Sequence, residues 1–316
     1  MKKLAMGIDI GGTNTAFGLV DEEGTVFCES VISTEKYKKF DDYEAYVKAL
    51  CEAMHALIDS VSFDFNLIGI GIGAPGPVDA KGVIYRTANL GWDTVFSIPE
   101  AMQKLINVPV KAGNDANVAG LGELWMGGGK GYKDMVMVTL GTGVGGGIVV
   151  DGNLVSGALG AGGEIGHIHV EDNETDACGC GKKGCLEQYA SATGVVRLAK
   201  KRLAKDDKAS VLRNGEVTAK AIWDAAKAGD ELALEVAKQF GTYLGKGLGI
   251  IAAVVNPKVF VVGGGVSKAG EVLFEYIIPE YKKYSFAGCW DVEFKLATLG
   301  NDAGIYGAAK LVIDEK

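Results

Sequence analysis

A chain of 316 residues, 48% hydrophobic and 23% charged, has the composition of a soluble globular protein of about two domains; a staple-dependent mini-protein and wholesale disorder are excluded. The net charge of −8, from 32 basic against 40 acidic residues, offers no phosphate-tracking surface, so nucleic acid is not an expected partner. Glycine is the anomaly: its 47 residues, about twice the usual share, gather at the ends of apolar runs, a pattern that suggests backbone brought close to a ligand.

In chain order, Leu4 to Ile10, Ala16 to Val20 and Thr25 to Ile32 read as short strands. Phe40 to Ser60 places Tyr43, Val47, Leu50, Met54, Leu57 and Ile58 on one helical face, and Leu67 to Ala74 is a buried strand closed by Pro75, Gly76 and Pro77. Val108 to Ala112 is a strand that leads into a helix carrying Val118, Leu121 and Trp125. Met135 to Leu140 and Ile148 to Val150 are strands around a glycine loop. An offset of 130 superposes the two halves without a gap: Gly11 falls on Gly141, Leu19 and Val20 on Val149 and Val150, Asp21 on Asp151. That repeat predicts two related α/β domains with a cleft between them. Leu186 to about Val254 is helical, interrupted near Asn214, Gly215 and Gly229; Val259 to Val262 is a strand, and the helix around Leu311 closes the chain on the first domain. No stretch reaches the ~18 consecutive apolar residues of a membrane span, and Met1 to Ala5 lacks a signal-peptide core, so the chain reads as cytoplasmic with no membrane partner.

Four segments carry chemistry. Asp9-Ile10-Gly11-Gly12-Thr13-Asn14 ends the first strand, where glycine amides approach phosphate oxygens, the Thr13 hydroxyl adds a donor and Asp9 holds magnesium directly or through water; an ordinary hairpin turn is the bland alternative. Gly141-Thr142-Gly143 repeats the device. Its G-x-G-x-x-G string, Gly141 to Gly146, runs into strand residues where a dinucleotide fingerprint opens a helix, so a Rossmann reading fails. Gly263-Gly264-Gly265 ends another strand and precedes a helix-like segment. Three glycine turns without a Walker lysine signature point to a nucleoside triphosphate held by something other than a P-loop. Cys178, Cys180 and Cys185, preceded by His167 and His169, suit tetrahedral Cys₃His zinc, with either histidine as the fourth ligand. Cys28, Cys51 and Cys289 read as small core residues.

These segments resemble the ROK family, in the sugar-kinase branch of the actin, heat-shock ATPase and hexokinase superfamily, and most closely its bacterial glucokinases. The matching stretches are DIGGTNTAFGLVD from Asp9, GAPGPVD from Gly73, NLGW from Asn89, NDANVAGLGE from Asn114, TLGTGVGGGIVVDG from Thr139, GGEIGH from Gly162, CGCGKKGCLE from Cys178, VVGGGVS from Val261 and LGNDAGIYGAA from Leu299. The resemblance implies two actin-like (ribonuclease H-like) domains flanking a nucleotide and sugar cleft. The expected division is 1–115 plus 301–316 against 116–300, the latter with a zinc loop at 167–187. Asn-Asp before a helix is by itself an N-cap; similarity to the family makes Asp115 the catalytic base and Asn114 a sugar ligand.

The family's GHxxV pattern, with Val170 in place, selects His167 as the zinc ligand and leaves His169 in a loop. With all four positions filled by protein the zinc is structural. Glu164, His167 and Glu187 are then expected on the pyranose hydroxyls, with Asn89 as a further sugar ligand. The implied activity is ATP-dependent phosphorylation of an aldohexose, glucose first, at its 6-hydroxyl, with ATP, Mg²⁺ and structural Zn²⁺ and a homodimeric assembly. Fructose, mannose or an N-acetylated aminohexose as substrate, polyphosphate as donor, and a non-catalytic sugar sensor or repressor are the alternatives. A repressor's winged helix has no room before Leu4. Tyr306 stands where relatives often carry a smaller residue.

Overall fold

The computed structural model describes residues 1–38, 43–85, 90–92 and 95–314. Its elements run β1 (Lys2–Ile10), β2 (Asn14–Asp21), β3 (Val26–Ser33), α1 (Glu35–Lys38), α2 (Tyr43–Asp59), β4 (Phe65–Ala74), β5 (Val83–Ile84), β6 (Phe96–Ser97), α3 (Ile98–Gln103), β7 (Val110–Asn114) and α4 (Asp115–Met126). The chain continues through β8 (Met135–Leu140), β9 (Val144–Val150), β10 (Asn153–Leu154), α5 (Glu187–Ala190), α6 (Ala192–Leu203), α7 (Ala219–Lys227), α8 (Glu231–Val255), β11 (Val259–Gly263), α9 (Val272–Tyr284), β12 (Glu293–Leu296) and α10 (Ala303–Ile313). The start expected for the second helix at Phe40 lies outside the described residues.

Two five-stranded sheets have the orders β3-β2-β1-β4-β7 and β10-β9-β8-β11-β12. Position by position these are the same sheet, each ending in a run of three parallel strands, β1-β4-β7 and β8-β11-β12. The 130-residue offset in the sequence is therefore a repeat of topology. By internal contacts the chain divides into one unit of Met1–Lys133, Gly147–Gly163 and Leu299–Lys316 and another of Asp134–Gly146 and Glu164–Thr298. The division keeps α4 and residues 147–163 with the first unit, unlike the boundary expected at 115. The reason is packing: a Cβ added at Gly122 would lie 2.2 Å from the Ala303 carbonyl oxygen, and one at Gly307 only 1.7 Å from that of Val118, so α4 and α10 touch backbone to backbone.

Alternation along β1 and β4 explains how the first unit is layered. Leu4, Met6, Ile8 and Ile10, with Ile70 and Ile72, join Tyr46, Val47, Leu50 and Met54 of α2 in the main core. On the other face stand Ala5, Gly7 and Asp9 beside Gly69, Gly71 and Gly73, and there α10 lies on bare sheet: Ala5 and Val20 pack with Ile305, Ala309 and Val312. The second unit repeats the device between helices. Gly241, Gly245 and Gly249, spaced by four on α8, would each drive a Cβ into α9, at 2.3 Å from Tyr276 O, 2.6 Å from Tyr281 N and 3.0 Å from Tyr284 C. Much of the glycine excess therefore serves close packing of elements and not ligand approach. Among the described residues no helix is long and apolar enough to cross a membrane, and all six cysteines are unbridged.

Gly71→Ala should be among the most damaging single-methyl additions, because its Cβ would sit 1.7 Å from the Ala308 carbonyl oxygen and α10 must lift to admit it. Urea unfolding should show a loss of about 2 kcal/mol or more. Gly141→Ala, with nothing within 4 Å of the added carbon, should unfold close to wild type.

Candidate active site

In the first unit, register brings the carboxylates together. Asp9 on β1 pairs with Gly73 on β4, Gly73 with Gly113 on β7, and Ala74 with Asn114, so Asp9, Asn114 and Asp115 emerge at one edge, the carboxyl ends of three parallel strands. Open α/β sheets take their ligands at that edge. Asn114 caps α4: its Oδ1 accepts the Asn117 N–H at 3.1 Å, while its amide donates to Gly76 O at 3.1 Å and to Asp115 Oδ1 at 3.0 Å. Asp115 Oδ1 also accepts the Ala116 N–H at 2.8 Å, so the side chain is held at the first turn of the helix, where the positive end of the peptide dipoles favours its charge.

Asp9 is held differently. Its carboxylate is pressed against α10, where a Cβ at Gly304 would lie 2.4 Å from both Cγ and Oδ2, and no hydrogen-bond donor among the described residues reaches it. Burial, and secondly the neighbouring Asp115 charge, push its carboxyl up to about 6. A half-buried acid beside a second acid, with no donor, is a place that a cation would relieve. The adjoining turn is tight: the Gly11 N–H donates to Asn14 O at 2.9 Å, and a Cβ at Gly11 would lie 2.7 Å from that oxygen. Gly12 is half-buried in this turn, and Thr13 and Asn14 are exposed.

In the second unit the matching strand ends carry no charge. Gly141, after β8, and Gly265, after β11, have nothing within 4 Å of an added Cβ, whereas Gly264 (φ +83°) lies against the Leu140 backbone and Gly263 against Met137 and Ala297. Two open glycines thus follow neighbouring parallel strands. The Thr142 carbonyl accepts the Thr193 hydroxyl at 2.7 Å and the Gly141 carbonyl the Ala192 N–H at 2.8 Å, which fixes the turn to the start of α6. Beside Gly265 is a recess of about 170 Å³ lined by Trp223, Val266, Lys268 and Ala269. The Trp223 indole nitrogen is buried without a partner among the described residues. The helix-like segment expected after Gly265 opens as a 3₁₀ turn, Val266–Ala269, before α9.

The ligand atoms of His167, Cys178, Cys180 and Cys185 all lie within 4.8 Å of one another. Cys180 and Cys185 sulfurs are 3.6 Å apart, and His167 Nδ1 is 3.7 Å from Cys178 Sγ. Sulfurs about 2.3 Å from one tetrahedral ion stand roughly 3.8 Å apart, so the cluster has the size of a zinc site. His169 is excluded by its own bonds: Nδ1 is 3.0 Å from Lys183 O and Nε2 2.8 Å from Asp172 Oδ1. Around the cluster, Glu187 Oε1 accepts the Cys178 thiol at 2.8 Å and lies 3.8 Å from His167 Nδ1, its Oε2 bears on Gly143, and Glu164 Oε2 is 3.8 Å from His167 Nε2. Glu164, His167 and Glu187 therefore form one connected group with the cysteines in this unit.

That loop is braced from behind. The Glu174 carboxylate accepts from Tyr189 Oη at 2.6 Å, from two loop amides and from Arg197. Burial alone would raise its carboxyl, but these donors outweigh it and bring it down to about 2. A recess of about 380 Å³ beside the brace is lined by these paired charges. Sequence reasoning passed over Glu174, Trp223 and Lys268, whose roles depend on partners distant in the chain. Asn89 lies outside the described residues. Tyr306 meets the Trp125 ring edge-on at 6.2 Å and packs α10 on α4.

The ROK family profile matches residues 5–315. A glucokinase of Halalkalibacterium halodurans is 39% identical over 314 residues, 97% of this chain and 94% of that one. The crystal structure of a ROK family glucokinase from Streptomyces griseus in complex with glucose and AMPPNP superposes with a TM-score of 0.76 at 34% identity, over 99% of this chain and all of that one. A ROK family transcriptional regulator, a homologue of the E. coli MLC protein, gives a TM-score of 0.86 at 25% identity over 99% of this chain and 79% of that one.

Because the folded pKa of Asp9 lies above the ordinary carboxylate value, its neutral form stabilises the fold, fully below about pH 4 and progressively less as pH rises through about 6. Asp9→Asn should therefore gain on wild type by on the order of 2 kcal/mol between pH 4 and 7.5 in magnesium- and nucleotide-free buffer. Urea denaturation at each pH reads the difference, and a constant difference would contradict the raised pKa.

Proposed function

The chain belongs to the ROK family, and from that premise we propose that it is an ATP-dependent hexokinase that phosphorylates glucose at its 6-hydroxyl. The observation that carries the reading is the pair of carboxylates at the strand ends of the first unit. Asp115 sits on a helix N-terminus, held by the Asn114 amide and the Ala116 N–H, whereas Asp9 is half-buried beside it with no donor among the described residues. The glucokinase relatives and the glucose and AMPPNP complex of the Streptomyces griseus protein support the choice of substrates.

In the proposed reaction Asp115 accepts the proton of the 6-hydroxyl as that oxygen attacks the γ-phosphorus of ATP; the phosphoryl group passes to the sugar and ADP leaves. The turns Gly11, Gly12, Thr13 and Asn14, Gly141, Thr142 and Gly143, and Gly263, Gly264 and Gly265 are assigned to the phosphates, through donors other than the Gly11 and Gly141 amides, which are bonded to Asn14 O and Gly143 O within their own turns. The recess beside Gly265 is assigned to the base of the nucleotide. Magnesium, when bound at Asp9, neutralises triphosphate charge. Asn114, Glu164, His167 and Glu187 are assigned to the sugar hydroxyls, which set the attacking oxygen in line. Asn89 is assigned with them on resemblance alone. A structural zinc on His167, Cys178, Cys180 and Cys185 fixes the segment that bears Glu164 and Glu187. A cytoplasmic homodimer completes the reading.

A panel of glucose, fructose, mannose and N-acetylated aminohexoses against ATP and polyphosphate tests the substrate assignment. On the preferred sugar, Asp115→Ala should lower kcat by about 10² or more with a smaller change in KM, as loss of a positioned base does; retained turnover would remove the base role. Metal analysis of the purified protein should find one zinc per chain. Cys180→Ser should lose it and lower Tm together, and a wild type without zinc would end the Cys₃His assignment.

A further inference from the structure

The C-terminal end of α4 is built in an unusual way. A helix commonly stops on a left-handed glycine that lets its last carbonyls find donors. Here Gly127 follows the helix at φ −112°, outside that region; the Glu123 carbonyl takes the cap N–H, and the Glu123 side chain reaches past the helix end to hold the chain that follows. Glu123 is fully buried. Its Oε2 accepts the Gly128 N–H at 2.7 Å, its Oε1 accepts the Leu299 N–H at 2.9 Å, and its carbonyl accepts the Gly127 and Gly129 N–H groups. Gly127 is itself required, since a Cβ there would lie 1.9 Å from Oε2. A carboxylate so buried is costly unless its bonds are complete, which is more than a helix end needs.

The partners of Glu123 explain the expense. The chain leaves the first unit after Lys133 and returns to it at Leu299, the residue that Glu123 holds. It also returns at Gly147, where a Cβ would lie 3.1 Å from Ala116 O and 3.3 Å from the Asn117 and Gly120 α-carbons. It leaves again after Gly163, next to Gly162, whose carbonyl accepts the Asn117 amide at 2.9 Å. Every segment by which the chain enters or leaves this unit is therefore fastened to α4, and α4 begins with Asp115.

We propose that Glu123 is a positioning residue for Asp115: by tying the last turn of α4 to both Gly128 and Leu299 it fixes the helix along its axis, and with it the carboxylate on the first turn. This rests on Asp115 being the base. Glu123→Gln keeps the shape but turns an NH₂ toward one of the two N–H donors; Glu123→Asp keeps the charge and shortens the reach, and serves if the first variant fails to fold. The expected result is a kcat lowered about ten-fold or more, with the KM values for hexose and ATP within about two-fold, and no further loss when Glu123→Gln is added to Asp115→Ala. Hydrogen exchange on the same proteins, without substrates, should quicken at the Ala116 and Asn117 amides as well as at Gly128 and Leu299. An unchanged kcat, a loss that multiplies in the Asp115→Ala background, or exchange altered only at Gly128 and Leu299 overturns the proposal. Should the wild type phosphorylate no hexose, the kinase reading fails by itself, and the exchange at Ala116 and Asn117 still decides whether Glu123 sets the first turn.

Discussion

Contact between helix α10 and a glycine-lined face of the first sheet is the constraint on which the rest of that unit depends. Gly7 and Gly71 on the strands, Gly304 and Gly307 on α10 and Gly122 on α4 are each placed where a single carbon would strike backbone or Asp9. Helix and sheet then approach more closely than ordinary side chains allow. The closeness is what buries Asp9, raises its carboxyl to about 6 and locks α4, with Asp115 at its head, onto the same layer. Packing density here sets the electrostatics, and the electrostatics set what the strand ends can hold.

The two sheets share an order of strands and differ in what they put at the ends of them. The first offers acids, Asp9 and Asp115; the second offers Gly141 and Gly265, open where a side chain would stand, and an apolar recess beside Gly265. One strand order thus occurs twice, and a few residues at the strand termini set its two copies apart: carboxylates in the first, glycine turns without charge in the second. The cysteine cluster and its bracing carboxylate Glu174 are confined to the second copy.

How far the sequence could be read follows from the range of each signal. The main strands and α2 were legible from apolar runs and spacing, and the repeat because its two glycine turns align without a gap, whereas β5, β6, β10 and the edge strand β12 are too short to carry a pattern. The carboxylates and the cysteine cluster were legible as short motifs. Glycine was read only in part: the turns at Gly11 and Gly141 are at strand ends as expected, but Gly71, Gly245 and Gly307 answer to elements far along the chain, which no local pattern reveals. The choice of His167 over His169 came from resemblance. Its physical reason, both nitrogens of His169 being engaged by Lys183 and Asp172, needed coordinates. Glu123 and Glu174 look like surface acids in the sequence and are buried acceptors in the fold. The division of the chain at 133, 146, 163 and 298 depends on which backbone α4 touches, and that is invisible to composition.

The seam between α8 and α9 has a consequence for descent. With Gly241, Gly245 and Gly249 each meeting the opposite main chain, the long helix can change none of the three without parting from α9. Every fourth position of this stretch is therefore closed to any side chain, even though none of the three glycines adjoins the glycine turns or the cysteines. A lineage could change its sugar or abandon catalysis and still carry the same ladder.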